Sequence, residues 1–344
     1  MDIDSPEYRK IQVLGRSSYA VTLPKDWVRE RNLDSGSVIV VTVDKKGILN
    51  VMPESMHSEE EEPAIKELDA TRISSQGALA SATRACYKIG YETIRIRHPG
   101  GLAPDSIREI HEAVEGLYGT LIVKETANET VVQTSIDVRT FTVSSLISRM
   151  GSFFLYLSEE VEGALSEGGL RDPNAVEYRA REVDKIYSLL VRQLVQGVRS
   201  QQFASRVGLA DVIQCLGSRM VAKALKDMTR SMFMISGLTT LASEGKSEVV
   251  DKIVELIVEL REIYKKAFEA LRREDIGKAA EVLQSEAPFH SKLVDFERSL
   301  PKEENQGSVI SAEVSLVWEL QNVTKSIMIL AEIAVNRYVE REET

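Results

Sequence analysis

Cysteine is almost missing from this 344-residue chain: Cys86 and Cys215 stand alone. Two isolated cysteines build neither a disulfide framework nor a zinc site, and they point to a reducing compartment. Long apolar runs are missing too. None approaches the roughly 20 residues that span a bilayer, and the opening MDIDSPEYRK lacks the apolar core of a secretory signal. The expectation is a cytoplasmic protein with no membrane insertion. Positive charge is in deficit, with 43 Lys and Arg against 53 Asp and Glu and a net charge of −10. Such a surface does not bind polyanions at large, so any nucleic-acid site has to be a local basic patch. Histidine is scarce, and His57, His98, His111 and His290 have no spacing that would ligate a metal or activate a nucleophile. Pro99-Gly100-Gly101 lacks the Gly-Lys-Ser/Thr of a phosphate-cradling loop. No enzyme, no catalytic residue and no cofactor is expected.

The patterns that are present divide the chain. In residues 8–53, Ile11 and Val13, then Tyr19, Val21 and Leu23, alternate with polar neighbours, the period of a half-buried strand. Val38–Val43 and Ile48–Met52 are further β runs, with Gly15, Gly36 and Gly47 at the turns. Pro24 suits the first turn of a short helix over Lys25–Asn32, because its missing N–H has no helical partner there. Residues 54–63, with the glutamate run Glu59–Glu62 and Pro63, read as a solvated linker. Residues 64–141 alternate between helix (Ser75–Ile89, Pro104–Tyr118) and strand (Thr93–Arg97, Thr120–Glu125, Thr130–Val138), with Asn128 at a hairpin turn. Arg95, Arg97 and His98 either meet an anion or form the exposed side of an edge strand.

From Thr142 onward strand patterns vanish. Leu146, Met150, Phe154, Leu157, Val161 and Leu165 make the apolar stripe of an amphipathic helix. Five more stripes follow: Val176–Leu194; Val212, Leu216, Met220, Ala224 and Met228; Val250–Phe268; Ile276–Phe296; and Ile310–Leu330. Six helices with short connections predict a bundle. Asp227-Met228-Thr229-Arg230-Ser231-Met232 and Asn322-Val323-Thr324-Lys325-Ser326-Ile327 share a pattern, which suggests two groups of three helices.

The order of elements in residues 8–53 resembles the AbrB/SpoVT-like swapped-hairpin domain of transcription regulators. The resemblance rests on Arg9-Lys10, Gly15-Arg16, Leu23-Pro24, Leu33, Gly36 and the Asp44–Gly47 turn. It implies a homodimer in which two chains interleave their hairpins into one barrel. A β unit this small buries too little surface to be stable alone. It also implies DNA binding through basic residues around the hairpins: Arg9, Lys10, Arg16 and Arg29, with Lys25 and Arg31 as substitutes where Val28 fills a basic position of the family. Arginine forks contact phosphates and read guanine edges. Against this, residues 1–53 hold eight Lys and Arg and seven Asp and Glu, so a purely dimerising role stays open.

Residues 142–340 look like the PhoU family of phosphate-uptake regulators, on the strength of Ala180–Leu194 (AREVDKIYSLLVRQL) and Ser218–Met232 (SRMVAKALKDMTRSM). The resemblance implies two three-helix repeats and partners among phosphate-transport ATPase and signalling proteins. Metal binding does not carry over. The family's Glu-x-x-x-Asp pairs align with Ala180/Asp184, Lys223/Asp227, Ser291/Asp295 and Trp318/Asn322, so the first acid is gone in each and no metal site is expected. Asp251, Glu255 and Glu259 lie opposite an apolar stripe and read as a solvated face. The expected fold is α+β multidomain. It has a dimeric swapped-hairpin β domain (1–53), an acidic linker (54–63), a small α/β unit (64–141) and an all-α six-helix bundle (142–344). The expected function is a dimeric DNA-binding regulator of phosphate uptake, or a dimeric adaptor that docks on transport or signalling proteins without DNA.

Overall fold

Two short hairpins open the chain in the computed structural model, which describes residues 7–15, 18–43, 47–56, 64–137, 140–244, 247–300 and 307–342. β1 (Gln12–Leu14) pairs antiparallel with β2 (Ser18–Ala20), and β3 (Ile39–Val43) with β4 (Leu49–Pro53). Gly15, Gly36 and Gly47 take positive φ, as turns that tight require. Between the hairpins, α1 (Lys25–Glu30) starts after Pro24 and ends sooner than predicted. Asn32 adopts φ 51°, which no helix continues through. The linker residues 57–63, His57 among them, lie outside the described residues.

The chain forms two compact units, 1–63 and 64–344. The second opens with a strand that sequence patterning missed, β5 (Ile65–Asp69). It pairs parallel with β6 (Thr93–Arg97) through a crossover helix, α2 (Ala78–Ile89). α3 (Pro104–Glu115) then leads to the hairpin β7 (Thr120–Glu125) and β8 (Glu129–Thr134). The sheet order is β5-β6-β8-β7, so β6 lies inside the sheet and is not an edge strand. Arg97 is spent on Glu129 and Glu67, at 2.8 and 3.1 Å. Ile94, Ile96, Ile110 and Val132 form the core of this part.

Six long helices carry the rest: α4 (Val143–Glu167), α5 (Pro173–Arg199), α7 (Val212–Ala242), α8 (Ser247–Arg273), α9 (Ile276–Ser299) and α10 (Gly307–Glu342). A short helix, α6 (Gln201–Arg206), interrupts the α5–α7 connection. Thr142, Asp172, Asp211 and Asp275 cap four of the long helices by accepting from backbone N–H groups. None of the helices is long and apolar enough to cross a membrane, among the described residues.

Packing follows a doubled plan. α4, α5 and α7 pack on one another, as do α8, α9 and α10, and the groups meet through α4–α8 and α7–α10. α7 and α10 run antiparallel, since Arg337 donates to Ser218 at 3.3 Å and Gly217 abuts Ile333. Thr229 and Thr324 sit at matching points, both buried, with hydroxyls bonded back to Leu225 and Leu320 at 2.8 Å. Core positions match as well: Leu225 with Leu320, Met228 with Val323, Met232 with Ile327, all buried.

One predicted stripe was wrong in phase. Ala224 and Met228 are core, but Val212, Leu216 and Met220 face solvent. A strict four-residue repeat drifts by about 40° per step on a helix of 3.6 residues per turn. The stripe therefore winds off the core. The buried set alternates steps of three and four: Cys215, Ser218, Ala222, Leu225, Thr229, Met232.

Candidate nucleic-acid interface

Residues 7–56 form secondary structure without a core. Pro53 alone is buried among their described residues. Tyr19 is 76% exposed and Val43 67%, and Ile11, Val13, Leu14, Val41 and Leu49 stand mostly in water as well. These are the apolar faces of β strands, which a soluble fold leaves bare only where another surface covers them.

The predicted basic residues divide into two places. Arg9 and Lys10 are exposed on the segment that leads into β1, and Arg9 is ion-paired with Glu7. Lys25 opens α1 and Arg29 stands in its last turn, four residues apart and so on one helix face. Arg29 is highly exposed, with its guanidinium 3.7 Å from Asp26. Arg31 caps the same helix in solvent. Arg16 and the Asp44–Lys46 part of the second turn lie outside the described residues. Arg9 and Arg29 thus carry a local acid, and no hydrogen bond or ion pair joins the Arg9–Lys10 segment to α1 among the described residues. What these two places offer chemically is exposed cations, on an irregular segment and on a short helix, the means by which phosphates are gripped.

A second cationic group lies in the other unit, and sequence reading missed it. Lys88 of α2 and Arg219 and Lys226 of α7 surround the buried ring of Tyr187 on α5, at 5.7, 5.0 and 4.8 Å from its centroid. Arg219 also donates to the Tyr187 hydroxyl. Lys226 reaches Asp184 at 2.7 Å. The Lys88 ammonium is held below the ordinary lysine range, by burial first and then by Lys226, Arg219 and Arg84. The trace of this group was legible: Arg219, Lys223, Lys226 and Arg230 recur at steps of four, three and four, with Asp227 the one acid of α7.

The charged residues among the positions aligned with the family's metal ligands, Asp184, Lys223, Asp227 and Asp295, are taken up in ion pairs. Lys223 pairs with Asp227 and Lys226 with Asp184. Glu255 and Glu259 pair with Lys252 and Lys292, so the acidic row of α8 is a solvated face. No group of three or more His, Cys, Asp or Glu is arranged to hold a metal ion among the described residues. His111 meets Glu125 at 2.7 Å, and the His98 ring nitrogen accepts from Gly100.

Comparison with known proteins bears on the first unit. No curated protein and no solved structure matches the chain. Residues 12–54 match the sequence profile described as antidote-toxin recognition MazE, bacterial antitoxin. That stretch spans both hairpins and α1, and it supports a MazE/AbrB-like domain at the N-terminus, a type that typically dimerises and binds DNA.

Proposed function

We propose that this chain is a dimeric DNA-binding regulator of phosphate uptake, with the N-terminal unit as shared barrel and reader and the helical bundle as the part that meets signal or partner. The observation that carries the reading is the bare apolar face of residues 7–56, together with the family match over the same stretch. A second chain covers those strands, and the dimer doubles Arg9, Lys10, Arg16, Lys25 and Arg29. The phosphate role rests on the resemblance of the helical part to PhoU proteins and on the doubled three-helix packing, which suits that family.

Salt titration on genomic fragments tests DNA binding. Each phosphate contact adds about 0.9 to the log–log slope of affinity against salt. Replacing Arg16 by Ala changes both chains, so affinity should fall and the slope should drop by up to about 2. Sequencing of DNA crosslinked to the protein at high and low phosphate tests the regulatory role, with sites expected beside phosphate-transport genes. One observation favours a second reading, a dimeric adaptor that docks on transport or signalling proteins without DNA. Arg9 and Arg29 already have acids at hand, and residues 1–53 are almost neutral. Wild-type protein that fails to bind DNA even at low salt would decide for the adaptor.

A further inference from the structure

The geometry points to a protein-docking surface on the outer face of α7: Val212 to Arg230 take an acidic amphipathic helix of a partner protein. The surface belongs to the second unit, residues 64–344.

The first ground is apolar exposure with no structural cause. Ile213 is 64% exposed, Leu216 63% and Met220 46%. Their spacing of three and four puts them on one side of the helix. The molecule contains its own control for this side. In the doubled plan, α10 repeats α7, and the buried residues correspond along both helices. At the points that match Leu216 and Met220, α10 carries Ser311 and Ser315, both exposed. The bundle therefore packs without apolar side chains at those two points, while α10 exposes Trp318 where α7 has Lys223.

The second ground is charge. The same side continues into Arg219, Lys223, Lys226 and Arg230, against two acids, Asp227 of α7, paired with Lys223, and Asp184 of α5, paired with Lys226. Arg230 has no ion pair among the described residues, and Arg219 turns onto the Tyr187 ring beside Lys88 and Lys226. Two acids thus face five cations, Lys88 included, and Lys88, Arg219 and Arg230 have no acid partner among the described residues, on a chain whose net charge is −10. An acidic partner is drawn to this face and repelled by most of the remaining surface.

Together the two grounds fix the partner's chemistry. Nineteen residues of helix present a strip of about 28 Å, which suits a partner helix of about five turns. Its apolar stripe meets Ile213, Leu216 and Met220, and its acids meet the cations that follow. A second copy of this chain fits less well. Its acidic helix, α8, exposes no large apolar side chain among the described residues, and its Glu255, Glu259 and Glu262 already pair with lysines. An anionic bilayer fits less well too, since the exposed residues of this face include no aromatic anchor.

The test uses the full-length protein and a fluorescein-labelled designed helix of about 20 residues, with leucines on one side and glutamates flanking them. A control peptide keeps the leucines and replaces every glutamate by lysine. The acidic peptide should bind and the lysine peptide should not. Leu216→Ser with Met220→Ser should weaken binding about tenfold or more, and so should Lys223→Glu with Arg230→Glu. These positions are exposed, so thermal melts should stay near wild type. The proposal is overturned by no binding of the acidic peptide, by equal binding of both peptides, or by variants that bind like wild type. Anionic vesicles that bind through these residues while the peptide does not would assign the face to membrane. Loss of a larger assembly in the Leu216/Met220 variant would assign it to a second copy.

Discussion

Glu129 shows how single side chains hold the sheet together. Its carboxylate takes a hydrogen bond from Lys124 and another from Arg97 at 2.8 Å, across the β6–β8 and β7–β8 pairings. Those two bonds pull its pKa from 4.5 down to about 2. A folded-state pKa below the unfolded one favours the fold above the unfolded value, and the advantage is lost as pH falls through the folded value. Wild type should therefore melt above Glu129→Gln at pH 7, by a margin that shrinks below pH 4.5 and vanishes near 2. A margin that stays constant down to pH 2 would contradict this account. At the same scale, much of the basic rim was legible from sequence order. Glu7 and Asp26 stand two and three residues from Arg9 and Arg29, near enough to pair in any extended or helical backbone. The cations around Tyr187 were not legible in that way, because α2, α5 and α7 meet there only through tertiary packing.

Elements were read more easily than their faces. All six long helices and the strand β6 stand where periodicity put them, because stripes of that length leave few alternatives. β5 escaped because Lys66, Glu67 and Asp69 break its apolar pattern, and pairing with β6 supplies what the pattern lacks. The face of α7 escaped because a helix with two apolar sides looks the same in sequence whichever side is buried. The junction of α2 and α5 carries a prediction of its own. Arg192, buried on α5, donates to the carbonyl oxygens of Tyr87 and Tyr91 at 2.8 Å each, and Arg199 donates to that of Ile89 at 3.0 Å. A guanidinium thus closes the C-terminus of α2, where unpaired carbonyls and the helix dipole attract a cation. Arg192→Met removes two charged hydrogen bonds and takes the donor from the Tyr91 carbonyl, while that of Tyr87 keeps the Gly90 N–H, at a cost of about 3 kcal/mol. Denaturant melts should show that loss, while Arg199→Met, at an exposed position, should cost far less.

The whole molecule separates into a unit with cores of its own and a unit in which almost no described residue is buried. Residues 64–344 form one compact unit with continuous cores. Deleting residues 1–63 should leave a folded, strongly helical monomer, by circular dichroism and light scattering. An unfolded fragment contradicts the independence of the second unit, and an undiminished dimer moves the interface into the helices. In the proposed dimer, the bare strands of residues 7–56 also tie this protein's behaviour to its abundance. A segment whose cover is a second chain is stable only as far as mass action fills the pair. Below the pairing threshold each chain exposes Tyr19, Val41 and Val43 to proteases, while its helical half stays whole. Scarcity then does more than lower the number of active molecules. On that reading proteolysis leaves helical remnants without the hairpin unit, so that synthesis rate itself becomes a steep on-off control of whatever that unit does.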